Sequence, residues 1–554
     1  MIEPRSAFPQ FSRWVTVALA LLSALNLRAS AQTVLPAPGV WQYSVQLEAD
    51  TERRAYLWIP PDCKQVRAVF FGLQNMMERN LFEDPEIRST AAALNMAIVL
   101  VSPGAWPDKA VHTNPSLDVK TPQEAIEGTQ AVLTALARES GYSEIQFAPL
   151  AVTGHSAASP FIWMLARAWP QRVFAFLPFK GYHVDAIADG VPTLKGEQEW
   201  GEWGPVWGDV WRADQEQAVS RIAQAKHPLF GEFTDLGSGH FDWHHDAASI
   251  LSLFLRKAVA ARIPAEAQLN APVRLKPISA ESGVLVDPAK LGTAQFEAVS
   301  YRKYKGDRAR ALWYFDSDMA ETINRFMLSQ LSKKPEAIDF IVDGKPVDLS
   351  QNGFAALKPE FLPDGLQFRV HAEALNASPT PHLFGGQSML GHSSKPIMYR
   401  VSSGALEQTG LDTFKVSARS GGLTRQGQPW EPWIMAYEPG DTEYRSADRP
   451  AHILIDIRNK KGEPQSLDFA KPAELKPGMQ TLELNGTASS GLPVQFYIES
   501  GPAVVEGNTL RLLPIPPRSR YPIRIIVSAY QWGRAGDHPV QSAGPVTQEV
   551  MVPR

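Results

Sequence analysis

The chain has 554 residues, of which 44% are hydrophobic and 20% charged, and a formal net charge of −4. That composition is globular, and the length exceeds one ordinary core, so several domains of roughly 100–200 residues are expected. There is no long basic run to neutralise phosphates, which excludes nucleic acid as an expected partner.

Residues 1–31 read as a signal peptide. Arg5 and Arg13 make a positive start, 14–27 is an apolar stretch too short to span a bilayer comfortably, and Ala29-Ser30-Ala31 is a small-residue cleavage site before Gln32. A secreted or periplasmic protein is expected, with no membrane span after cleavage. Cys63 is the only cysteine, so no intrachain disulfide can form and the exported chain must rest on packed cores. Following Pro60-Pro61-Asp62 at a strand end, Cys63 reads as a structural thiol.

Residues 32–264 alternate strand-like and helix-like segments. Residues 43–47 and 55–59 predict two antiparallel strands joined by Glu48-Ala49-Asp50-Thr51. Residues 67–72 predict a buried strand, 85–94 a helix, and 96–101 another buried strand. An amphipathic helix over 121–140 opens with a capping threonine and a proline in its first turn. Strands over 147–153 and 173–178 flank a helix over 158–169, and shorter strands follow at 190–194 and 227–233 before a helix over 245–260. This order predicts a mostly parallel sheet with helices on both faces. Sites in such sheets gather at the carboxyl ends of the strands.

After Ile263-Pro264 the pattern changes. Residues 272–465 read as a β-rich domain with one helical island over 317–332. Residues 466–554 show strands at 480–484, 494–500, 509–513 and 523–530, which suggests a β-sandwich. Their Ala488-Ser489-Ser490-Gly491-Leu492-Pro493-Val494 and Ser500-Gly501-Pro502-Ala503 segments resemble bacterial immunoglobulin-like domains of exported proteins.

The segment that carries chemistry is Ala151-Val152-Thr153-Gly154-His155-Ser156-Ala157-Ala158-Ser159. A strand enters Gly154 and a helix leaves from Ala157. A serine on so tight a bend needs small neighbours two residues before and after it. The bend exposes the hydroxyl, and the helix start sets the Ala157 N–H as half of an oxyanion hole. The pattern resembles the Gly-x-Ser-x-Gly nucleophile elbow of the α/β-hydrolase superfamily, with Ala158 in place of the second glycine. The fold class expected is thus an α/β-hydrolase sheet followed by the two β-rich regions.

The resemblance implies the rest of the site. The order nucleophile, acid, base places the general base after the last core strand, so His240 in Gly237-Ser238-Gly239-His240 is the expected base, with His244 as runner-up. It implies an acid after the preceding strand. Glu199 is expected there, with Glu197 and Glu202 as close competitors and Asp209 or Asp235 behind them. The second oxyanion donor is expected from the backbone N–H of Gln74 or Asn75. His240, His244, His245, Asp242 and Asp246 also invite a metal-site reading. Their spacing lacks the glutamate of His-Glu-x-x-His and would leave Ser156 unexplained, so no metal or cofactor is expected.

Trp200, Trp203, Trp207 and Trp211 fall in one stretch after the acid candidates. Flat aromatic faces stack on sugar rings and aromatic acyl groups, and Trp200, Trp203 and Trp207 are the expected substrate-binding residues, although a lid packed on its own aromatics fits equally well. By analogy with secreted carbohydrate esterases, the expected activity is ester cleavage on an acyl-substituted polysaccharide. The alternatives are an exported peptidase or polyester depolymerase on the same fold, and a catalytically inactive carbohydrate-binding protein.

Overall fold

Runs of β-branched and aromatic residues with no polar interruption, such as Met96–Ser102 and Val173–Phe179, are buried along their whole length. Strands buried on both faces belong at the centre of a helix-covered sheet. In the computed structural model, which describes residues 40–47, 53–102, 121–181, 189–198, 228–236, 239–241, 243–347, 354–377, 389–418, 432–456 and 458–554, they do. The first sheet comprises β1 (Tyr43–Gln46), β2 (Arg54–Trp58), β3 (Ala68–Leu73), β4 (Met96–Ser102), β5 (Leu150–His155), β6 (Val173–Phe179), β7 (Thr193–Gln198) and β8 (Phe230–Asp235). Its spatial order is β1-β2-β4-β3-β5-β6-β7-β8. β2 is antiparallel to both neighbours, and β3 to β8 are parallel. This is the mostly parallel sheet that the alternation of elements predicts, in the α/β-hydrolase arrangement that the resemblance of the elbow implies.

Helices cover both faces. α1 (Glu78–Glu83), α2 (Pro85–Ala93) and α5 (Ala247–Arg262) pack as one group, and α3 (Pro122–Ser140) packs with α4 (Ser159–Ala168) as another. α3 begins where Thr121 caps it in a reciprocal capping box with Glu124, followed by Pro122. The chain reverses direction across the sheet between β4 and β5, so β3 and β5 flank the topological switch point, where crevices open at strand carboxyl ends. Cys63 is buried, and burial pushes its thiol up to about 11, in keeping with a structural role.

Two strands lie later in the chain than the sequence pattern suggests. β7 runs to Gln198 and pairs with β8 from Thr193↔Phe230 to Gln198↔Asp235. Lys195 and Glu197, whose charge reads as loop, form a buried ion pair within the strand. The sheet therefore holds Glu197, which is not in the loop beyond it.

Beyond residue 264 the structure is β-rich. Val284–Val286, Val299–Ser300 and Leu312–Tyr314 form a small sheet, and α6 (Ser317–Leu331) follows. A four-stranded sheet has the order Ala355–Leu357, Ala447–Ile453, Trp433–Glu438, Met398–Ser403. The last strands, among them Gln495–Ser500, Ile523–Gln531 and Ala543–Val552, form further antiparallel sheets. The signal-peptide segment, the Glu48–Thr51 turn, Glu199, Glu202, Asp209, the tryptophans at 200, 203, 207 and 211, and Gly237, Ser238 and Asp242 lie outside the described residues.

Candidate active site

β5 delivers its chain directly into Ser156, whose φ is +49°, a left-handed backbone that costs a non-glycine residue of the order of 1–3 kcal/mol. A 3₁₀ turn over Ser156–Ala158 passes into α4. The tightness of this bend explains Gly154: a Cβ there would lie 2.8 Å from Ile162 Cγ1 and 3.0 Å from the Ala158 carbonyl oxygen. Ala158 is buried, and Ala157 occupies the turn between it and the serine.

His240 follows β8, and its Nε2 stands 2.8 Å from Ser156 Oγ. Residues 84 positions apart are thus within hydrogen-bond reach at the switch-point end of the sheet. For the serine hydroxyl to donate, the imidazole must be neutral with its proton on Nδ1. Burial, then the neighbouring His155 and Lys180, hold His240 well below the ordinary histidine value, which favours that neutral form.

The loop of His240 is tied from several directions. Lys180, at the end of β6, donates from Nζ to the Gly239 carbonyl oxygen at 2.8 Å and pairs with Asp235 Oδ2 at 3.1 Å. His155 Nε2 donates to the His240 carbonyl oxygen at 2.7 Å, and burial pulls His155 down to about 3, so this ring is neutral. Asp84 caps α2 and also accepts from Trp243 Nε1 at 2.9 Å and His245 Nδ1 at 2.7 Å. His244 Nδ1 lies 3.0 Å from Asp235 Oδ1. The three histidines of this stretch therefore face three different partners.

Asp235 sits in the interior. Burial alone would raise its pKa, but Lys180 and His244 outweigh that and hold it below the usual carboxylate range. Burial opposes protonation of His244, yet Asp235, and then Asp448 and Asp246, raise it to about 9. Asp235 is thereby engaged as the counterion of Lys180 and His244.

The two backbone N–H groups expected as second oxyanion donors both carry hydrogen bonds here. The Gln74 N–H donates to the Val101 carbonyl oxygen at 2.8 Å, as an extension of the β3–β4 ladder, and the Asn75 N–H donates to Glu78 Oε2 at 2.8 Å. Both donors are committed in this arrangement. The Asn75 side chain also lies beside the elbow, and its Nδ2 donates to the His155 carbonyl oxygen at 3.3 Å.

Glu78 is a residue of the site that the sequence reading does not single out. It is buried, and it accepts from the backbone N–H groups of Asn75, Met76 and His155, the last at 2.6 Å. Burial raises its pKa to about 7 against the pull of these hydrogen bonds. One carboxylate thus staples the loop after β3 to the Ser156 bend. The Asn-x-x-Glu spacing over 75–78, a helix-start signature, is the signal that could have found it.

No protein-family model and no curated protein sequence matches this chain. Solved structures similar to it include esterase PE8 (16% identity, 36% of this chain and 97% of that one, TM-score 0.27). They also include the poly(3-hydroxybutyrate) depolymerase LpqC from Bordetella parapertussis (15% identity, 42% and 96% covered, TM-score 0.28). A third is an S-formylglutathione hydrolase from Agrobacterium tumefaciens (13% identity, 39% and 93% covered, TM-score 0.28).

Proposed function

We propose that the protein is a serine hydrolase that cleaves carboxylic esters by two-step acyl transfer. The observation that carries this reading is the pairing of a strained elbow serine with a buried neutral imidazole, Ser156 Oγ to His240 Nε2 at 2.8 Å. A serine hydroxyl is a weak nucleophile until a base removes its proton. His240 takes that proton as Ser156 attacks the ester carbonyl, then passes it to the leaving alcohol. Water activated by the same imidazole clears the acyl-enzyme. The Ala157 N–H, at the start of the helical run, is the proposed oxyanion donor. Glu199 is the proposed acid that orients the base, because Glu197 is held in β7 by Lys195 and Asp235 by Lys180 and His244.

The ester we propose is an acyl substituent on a polysaccharide outside the cytoplasm. The leader-like start of the chain and the tryptophans after Glu199 support this. Ser156→Ala should lower turnover by at least about 10⁴-fold while leaving the thermal transition in place. The assay is the full chain against aryl esters, acetylated xylan and peptide amides, with the variant alongside. Equal rates in the variant and the unaltered protein would reject the serine mechanism. Cleavage of peptide amides in preference to esters would reject the esterase assignment.

A further inference from the structure

The loop of His240 is gripped from the β-rich region as well as from the α/β sheet. The carbonyl oxygen of Phe241, the residue after the base, accepts a hydrogen bond from the Ser402 hydroxyl at 2.8 Å. Ser402 is the point where strand register slips: Val401 pairs with Ile434, but Ser403 pairs with Trp433. A bulge of this kind re-aims one side chain out of the strand's alternation. Here the re-aimed hydroxyl is buried and reaches the catalytic loop. The Ser402 carbonyl oxygen accepts from Asn80 Nδ2 at 2.6 Å. Asn80 lies on α1, the helix whose Glu78 binds the elbow backbone. One bulge residue therefore touches both the helix behind the nucleophile and the loop of the base.

The Phe241 ring makes a second connection. It lies edge-on to His240, with centroids 4.9 Å apart, and is stacked on Trp433 at 4.7 Å with 20° between planes. Trp433 is buried and is backed by His452, its cross-strand partner, at 5.2 Å and 17°. The third connection is electrostatic. Asp448, buried on Ala447–Ile453 beside Arg400, favours the charged form of His244, the group that binds Asp235.

We infer that the β-rich region completes the catalytic machinery, with Ser402 and Trp433 as positioning residues that hold the His240 loop in register with Ser156. This deepens the serine-hydrolase reading and rests on it. The described residues of the connection between β8 and α5, His240 among them, lie in neither helix nor strand, so the position of His240 is set by what packs against it. A displacement of the base by about 1 Å can cost on the order of 10²-fold in rate, so modest contacts here carry a large effect on turnover.

The test uses full-length Ser402→Ala, Ser402→Thr and Trp433→Leu variants. Active sites are counted with a fluorophosphonate, and kcat and KM are measured on a chromogenic aryl acetate. Per titrated site, kcat should fall roughly 3- to 10-fold in Ser402→Ala and roughly 10- to 100-fold in Trp433→Leu, with KM within about twofold of the unaltered value. Ser402→Thr, which keeps the hydroxyl donor, should restore most of the loss. Unchanged kcat per site in the alanine and leucine variants overturns the inference. So does a loss that disappears on normalising to titrated sites, which would make both residues supports of folding only, or a rise in KM at unchanged kcat, which would place Trp433 against substrate. An unaltered protein that neither labels nor turns over overturns the esterase reading itself.

Discussion

Ser156 and His240 are legible in the sequence because each sits in a short pattern with a steric or topological reason: small residues around a sharp bend, and a glycine-rich loop after the last strand. Glu78 and Lys180 are not: the spacing around Glu78 signals only a helix start, Lys180 has no local signature, and only the fold shows that Glu78 binds the elbow backbone and Lys180 binds Gly239 and Asp235. The effect of Lys180 on His240 leads to a pH prediction. Burial, His155 and Lys180 all favour neutral His240, so the acidic limb of kcat/KM should lie below pH 6.5. A limb near pH 7 or above would show that an acid such as Glu199 outweighs the burial. Lys180→Met removes one positive charge beside the imidazole and should move that limb upward. It should also lower kcat, because Gly239 loses its tether. A pH–rate profile of both proteins measures the shift, and an unmoved limb would mean that Lys180 does not act on the base.

At the scale of elements, the strand and helix order of the first sheet follows from hydrophobic runs and helix caps alone. Strand ends do not, and β7 shows why: Lys195 and Glu197 neutralise each other inside the sheet, so polarity that signals a loop is cancelled by a contact no local pattern reports. β8 ends in the same way on Asp235, buried between Lys180 and His244. Asp235→Asn would leave those two groups without their counterion and should cost about 3–5 kcal/mol. The pH dependence has a defined sign. His244 has a folded pKa raised to about 9, so its contribution is full below about 6.5 and is lost as pH rises through about 9. Asp235 is held below the usual range, so its contribution is present above about 4 and lost as pH falls through its lower folded value. Chemical denaturation of the two proteins should therefore differ most between about pH 4 and 6.5, and less above pH 9. A difference that grows above pH 9 would contradict the pairing.

Across the whole molecule, the regions that composition separates share one core. Phe496, Ile498, Ile525 and Val527 of the C-terminal strands belong to the same buried cluster as Trp41, Tyr43 and the sheet interior. The seam is also polar: the Gly501 N–H donates to the Trp41 carbonyl oxygen at 2.8 Å, the Arg520 N–H to the Ser140 carbonyl oxygen at 2.9 Å, and Arg518 pairs with Glu144 at 2.9 Å. No sequence period encodes such a seam, since its halves lie hundreds of residues apart. Chains of this length often unfold in separate steps. Here a shared core couples the sheet to the C-terminal strands, and calorimetry of the intact chain should show their unfolding as one transition that coincides with loss of the proposed hydrolase activity. Gly141 offers a local test. It ends α3 at φ +85°, and a Cβ there would lie 2.9 Å from Arg520 N. Gly141→Ala should cost about 1–2 kcal/mol through backbone strain and a wedged seam. If the regions are coupled, this single methyl lowers the temperature at which activity is lost together with the main transition. A variant that splits the transition in two, with activity surviving to the original temperature, would show that the C-terminal strands and the first sheet fold independently.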